Sequence, residues 1–179
     1  ALGNTTVTVA SGATLGGSGS IAGATTVNGI LAAGNSPGVL SFTGNLTLGS
    51  GSTSLFEING LTRGTEYDGV NVGGALAYGG SIDLVFGAPV AAGTYDLFGG
   101  SFTSQSGDFS SVSIDGSVSA PVFTVGTGWS LVSGGWQYDF VNATGDLTIT
   151  SAIPEPSAFA AFAGLAGLGL AGLRRRRRA

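Results

Sequence analysis

Apolar and polar residues alternate along short stretches of this chain, with glycine, serine and asparagine between them. Thr6-Val7-Thr8-Val9, Thr25-Thr26-Val27, Leu46-Thr47-Leu48 and Leu55-Phe56-Glu57-Ile58 all show a period of two. That period places one face of each segment in a core and predicts β-strands. Asn28-Gly29, Ser36-Pro37-Gly38 and Gly49-Ser50-Gly51 interrupt the strands as turns. Val7, Val27 and Leu46 recur at nearly equal spacing. A period of about 20 residues suits one coil of a β-solenoid, in which each coil stacks on the last and buries a thin apolar core. Glycine-rich disorder is the competing reading, and the valine and leucine alternation argues against it.

From residue 94 the pattern is less regular. Phe109–Ile114, Val122–Val125, Trp129–Val132, Trp136–Val141 and Asp146–Thr150 read as strands of a closing meander. A solenoid end exposes its core and its strand edges, so it needs a cap. Trp129, Trp136, Tyr138 and Phe140 could cover it. Trp129, Trp136 and Tyr138 are also the candidates for a glycan-stacking face. The expected organisation is a solenoid over 1–93, a β-rich cap over 94–150, a linker over 151–156, an apolar span over 157–173 and a basic tail over 174–179.

The span is the one segment without alternation. Ser157 to Leu173 carries no charge and is built of alanine, glycine, leucine and phenylalanine. As a helix it would be about 25 Å long at 1.5 Å per residue, slightly short of a hydrocarbon core of about 30 Å. Arginine side chains reaching for the interface and local bilayer thinning absorb that mismatch. Ala163, Gly167 and Ala171 form a small-residue ridge that lets another helix approach. Arg174, Arg175, Arg176, Arg177 and Arg178 follow at once, and positive charge beside a span stays in the cytoplasm. The body is therefore expected on the other side of the membrane, which implies an export signal upstream. Pro154-Glu155-Pro156 cannot continue a helix and should be extended and open to a processing enzyme.

Charge sharpens this division. The nominal net charge of −4 hides nine acids against Arg63 alone up to residue 153, a body of −8 with a basic tail. An acidic body disfavours nucleic acid. The chain has no Cys, no His and no Met, and all six of its basic residues are arginine. Disulfides, thiol chemistry, Ser-His and Ser-Lys nucleophiles and zinc sites of the His/Cys type are excluded. Only carboxylates remain for catalysis. Glu66 and Asp68 lie two apart near a turn, and paired carboxylates can hydrolyse glycosides. Scattered surface acids are the simpler reading. Gly79-Gly80-Ser81-Ile82-Asp83 departs from a calcium-binding glycine-aspartate repeat. Gly17-Ser18-Gly19-Ser20-Ile21-Ala22 matches a dinucleotide turn only in its glycines and reads as a coil corner. Thr6-Val7-Thr8 and Thr148-Ile149-Thr150 suggest a threonine ladder, but Thr26 and Asn28 around position 27 break it. The expectation is a protein with no catalytic residues, no metal and no cofactor.

Two resemblances add to this reading. Pro154-Glu155-Pro156, the short span and Arg174–Arg178 together resemble the PEP-CTERM sorting signal of Gram-negative bacteria. That tail is also catalogued as an ice-binding protein C-terminal domain. The resemblance runs from Pro154 to the end of the chain. It implies processing near the tripeptide by an exosortase, with this chain as substrate. Its body would end at the cell surface or in the extracellular matrix, where polysaccharide is a possible partner. Gly34-Asn35-Ser36-Pro37-Gly38, Leu46–Leu48, Leu55–Ile58, Tyr67–Val72, Gly80–Leu84 and Ala91–Phe98 resemble the autotransporter-associated β-strand repeat. That second resemblance implies a right-handed parallel β-helix over residues 10–100.

Overall fold

A computed structural model describes residues 4–34 and 37–152 of the chain. All their regular structure is β. The Pro-Glu-Pro motif, the apolar span and the arginine run lie outside the described residues. Among the described residues no helix is long and apolar enough to cross a membrane.

The chain winds through three parallel sheets, contributing one strand to each per coil. The first coil holds β1 (Val7–Val9), β2 (Thr14–Gly17) and β3 (Gly19–Ile21). The second holds β4 (Thr25–Val27), β5 (Ile30–Ala33) and β6 (Val39–Phe42). The third holds β7 (Leu46–Leu48), β8 (Thr53–Ile58) and β9 (Gly69–Val72). In the fourth, β10 (Ala75–Ala77) and β11 (Ser81–Phe86) are followed by β12 (Gly93–Asp96), which leaves for another sheet. β13 (Phe98–Gly99) then completes the coil. The last coil has only β14 (Ser104–Ser106) and β15 (Ser111–Ile114). This is the parallel coil architecture that the period-two segments predict.

Its register differs from the expected one. Val7 pairs with Thr25, and Thr25 with Leu46, while Val27 pairs with Val9 and Leu48. The first coil, Val7 to Thr25, is thus shorter than the second, Thr25 to Leu46. Leu46 then pairs with Leu76, a longer step still, because a long loop over 59–68 separates β8 from β9. Turn length is free to vary in a solenoid, whereas the inward set must stay inward. Val9, Val27 and Leu48 stack in one buried column. Leu40, Val70 and Phe98 form another.

At Asp115-Gly116 the chain reverses. Both residues have positive φ, 49° and 72°, as a two-residue hairpin requires. β16 (Ser117–Ser119) pairs back on β15, and β17 (Val122–Thr124), β18 (Gly128–Ser133), β19 (Trp136–Val141) and β20 (Asp146–Ser151) follow. Four of these strands join β12 in an antiparallel sheet of order β12-β20-β19-β18-β17. The expected meander is therefore present from Val122, with two corrections. Ser111–Ile114 belongs to a parallel sheet, and Tyr95-Asp96 of the repeat-like segment belongs to the meander. The two units interleave between residues 93 and 114 instead of meeting at 93. A stretch that alternates correctly can pair in either direction, so alternation alone does not assign the sheet.

The inner face of the meander closes over the solenoid core. Tyr95, Trp129, Leu131, Tyr138, Phe140, Leu147 and Ile149 are buried there. Phe140 stands edge-on to Phe109 at 5.7 Å and to Tyr78 at 5.8 Å. Tyr78 Oη donates to the Asn142 carbonyl at 3.1 Å, tying the fourth coil to the end of β19.

Candidate functional site

The sequence offers chemistry only in its carboxylates and aromatic rings. Asp68 precedes β9 and is 1% exposed. The Gly38 N–H donates to its Oδ1 and the Glu57 N–H to its Oδ2, both at 2.8 Å. Burial pushes its pKa above the ordinary carboxylate value, and those two bonds pull against the rise. Asp68 therefore pins the second coil to the third.

Glu66, two residues away, is at the surface and does something else. Its Oε2 accepts from the Leu61 and Thr62 N–H groups at 3.1 and 2.8 Å, closing the 59–68 loop. The bonds from Thr62 hold its carboxyl below the usual range. The two acids thus cap different backbone segments, and the buried one has no face for a substrate.

Other acids play the same part. Asp108 accepts the Gly126 N–H through both oxygens, at 3.0 and 2.9 Å, and Asn142 Nδ2 donates to its Oδ1 at 2.6 Å. Asp115 accepts the Phe86 N–H at 2.7 Å, and Asp83 the Gly116 N–H at 3.4 Å. Among the described residues no three acids converge as a metal site.

The densest polar cluster surrounds Arg63, the sole basic side chain before residue 174. Its Nε donates to the Asp96 carbonyl at 2.6 Å, Nη1 to Asn71 Oδ1 at 2.9 Å and Nη2 to the Val70 carbonyl at 3.2 Å. Asp96 Oδ2 lies 3.4 Å from Nε. Gly69 makes the room, since a Cβ there would stand 2.5 Å from the guanidinium carbon. Tyr67 Oη accepts the Asp96 N–H at 3.1 Å. Burial raises the Asp96 pKa while Arg63 lowers it. Asp96 faces Asp146 across β12 and β20, a like-charge pair that Arg63 partly offsets. The cluster joins loop, coil and meander. Nothing in the sequence pattern marked Arg63, since its partners come from segments up to 33 residues away.

Of the candidate glycan-stacking residues, Trp129 and Tyr138 are 3% and 2% exposed, with their rings in the core. Trp129 stacks on Phe140 at 5.8 Å. Trp136, where β19 begins, lies on the same face as Tyr138 and Phe140 and packs against the core, but is only partly buried. The three do not form a shared platform. The dinucleotide-like glycines sit at the corner between β2 and β3, where Gly17 and Gly19 have φ of 92° and 139°. The threonine column differs from the expectation. Thr8, Thr26 and Thr47 do stack in register, and Ala77 ends the run. No family model matches the chain, and neither a curated protein nor a solved structure matches it.

Proposed function

We propose that this chain is an exported, non-catalytic β-solenoid of the cell surface or extracellular matrix, wound right-handed, with a PEP-CTERM tail as its sorting signal. The observation that carries the structural part is what the acids do. Asp68, Glu66, Asp83, Asp108 and Asp115 each accept backbone N–H groups. Acids committed to fastening loops serve a scaffold. The right-handed winding rests on the general preference of parallel crossover connections.

The tail supplies the sorting part. Pro154-Glu155-Pro156 is the recognition motif for an exosortase, residues 157–173 are the membrane helix, and Arg174–Arg178 hold its cytoplasmic end. The test is the intact mass of the protein recovered separately from membrane and medium of its host. A mass ending near residues 154–156 in the surface or medium fraction is expected. A full-length mass confined to the membrane overturns the sorting reading. A polysaccharide-binding body is the second reading, now resting on Trp136 as the one of the three candidates that is not fully buried; unchanged glycan retention in Trp136→Ala removes it.

A further inference from the structure

The two ends of the meander sheet are unlike. β20 ends at Ser151, and the Ala152 N–H donates to the Gly135 carbonyl at 2.9 Å. The chain therefore leaves the sheet beside the turn between β18 and β19. β12 runs antiparallel to β20 and starts at Gly93 opposite Ile149, so residues 88–92 arrive at that same end. Tyr95 Oη donates to the Ala91 carbonyl at 2.9 Å and holds this loop against the sheet. Among the described residues, the segments that meet here, 88–93, 132–136 and 149–152, carry no charged side chain. Val132 is 63% exposed, Ala92 is exposed and Trp136 is partly buried.

The opposite end of the sheet is acidic. Asp96 faces Asp146 there, and Asp108 accepts the Gly126 N–H in the turn between β17 and β18. The other neighbouring acids stop short of the exit end. Asp139 stands three residues beyond Trp136 on β19, Asp115 holds the Phe86 N–H and Glu57 pairs with Val85.

Chain length fixes which end lies near the apolar span. From Ala152 to Ser157, where the span begins, a fully extended chain covers at most about 18 Å. With the span in a bilayer, the exit end of the meander is held close to the headgroups. A body of −8 is repelled by anionic lipid. A charge-free surface approaches without that cost, and tryptophan is favoured at the membrane–water interface. We propose that this end of the meander rests on the lipid headgroups, with Val132 and Trp136 as its contacts and the acidic end turned away. The inference rests on the reading of residues 157–173 as a membrane helix, and it adds a second contact between body and membrane.

The chain has no cysteine, so single-cysteine variants each carry one fluorophore. Ala92→Cys marks the exit end and Ala143→Cys the acidic end, both at exposed positions, while Ala166→Cys marks the span. Each full-length protein is reconstituted in phosphatidylcholine–phosphatidylglycerol vesicles with nitroxide lipid, labelled either at the headgroup or deep in the acyl chain. The deep nitroxide is expected to quench position 166. The headgroup nitroxide is expected to quench position 92 at least threefold more than position 143. That difference should persist when about ten Gly and Ser residues are inserted after Ala152, because a seated surface needs no short tether. Adding Val132→Asp to the lengthened chain should bring position 92 down to the level of position 143. Equal quenching at 92 and 143, with 166 still quenched, overturns the proposal and leaves the membrane helix standing. A difference that vanishes on insertion means proximity through the tether alone, and one that survives Val132→Asp means another contact; either overturns it. An unquenched position 166 overturns the membrane-helix reading and this inference with it.

Discussion

Replacing Asp68 by alanine removes a carboxylate that accepts one backbone N–H from the second coil, at Gly38, and one from the third, at Glu57. The Gly38 bond is buried, so its N–H would be left without a partner, at a cost of about 1–3 kcal/mol. The Glu57 bond is part-buried, and water can replace it at a loss of about 1 kcal/mol. Against this stands relief of the buried carboxylate, whose raised pKa shows that its charge is disfavoured in the folded state. The net expectation is a loss of about 2–3 kcal/mol, a large part of the roughly 5–15 kcal/mol typical of a domain. Asp68→Asn keeps one acceptor oxygen and should lose about half as much. Acidity provides an independent check. The folded pKa lies above the unfolded value of 3.8, so the folded state binds the proton more tightly. The Asp68 contribution is most favourable below 3.8 and is lost as pH rises through the folded pKa. Urea unfolding of the full-length protein in detergent, followed by circular dichroism at pH 4 and pH 7, measures both effects. An alanine variant within about 0.5 kcal/mol of the parent, or an asparagine variant with an unchanged pH dependence, would refute the reasoning.

Arg63→Ala should cost about 1–2 kcal/mol, mainly from three lost hydrogen bonds, because the ion pair with the half-exposed Asp96 is screened. Arg63→Lys should not restore it, since an ammonium cannot span those acceptors; urea midpoints and protease cleavage within 59–68 report both effects. Gly23→Ala should destabilise the first coils by more than about 2 kcal/mol, since its Cβ would stand within bonding distance of the Thr5 carbonyl oxygen. Hydrogen exchange should show that loss confined to β1 and β4. Tyr78→Phe keeps the ring contacts and removes the bond to Asn142, for an expected loss of about 1 kcal/mol by thermal unfolding. A loss above about 3 kcal/mol would mean that the ring itself had moved.

The strands were legible because inward and outward residues alternate along nearly all of them. Trp136–Val141 was readable to the residue, and the other meander strands came within one or two. The register was not legible. Val27 and Leu46 fit a regular repeat, but Val27 belongs to the column of Val9 and Leu48. Only the turn geometry decides such an offset, and the turns here differ in length from coil to coil. The direction of pairing was equally hidden: Ser111–Ile114 reads as part of the meander yet pairs in parallel, while Gly93–Asp96, inside the repeat-like stretch Ala91–Phe98, joins the meander as the cap over 94–150 implies. The candidate site was hidden for another reason. Asp68 is conspicuous beside Glu66 in sequence, yet its role is set by Gly38, 30 residues back. Trp129 and Trp136 look alike on paper and both lie on the inward face, Trp136 in step with Tyr138 and Phe140, but Trp136 stands at the end of its strand and is only partly covered.

The placement of the aromatic rings also gives folding a direction. Tyr78, Phe98, Phe109, Trp129 and Phe140 all lie in the later part of the chain and meet where coil and meander interleave. The first two coils contribute mainly valine, leucine, isoleucine and alanine, with Phe42 as their one ring. Each of their strands gains its hydrogen bonds only from a neighbour one full coil away. Closing such loops costs entropy before any contact compensates it. The aromatic end is the part able to nucleate, and the early coils then settle one by one on an edge already formed. A polypeptide delivered with its amino end first would emerge with its least self-sufficient coils leading, and would stay unfolded until its last strands arrived.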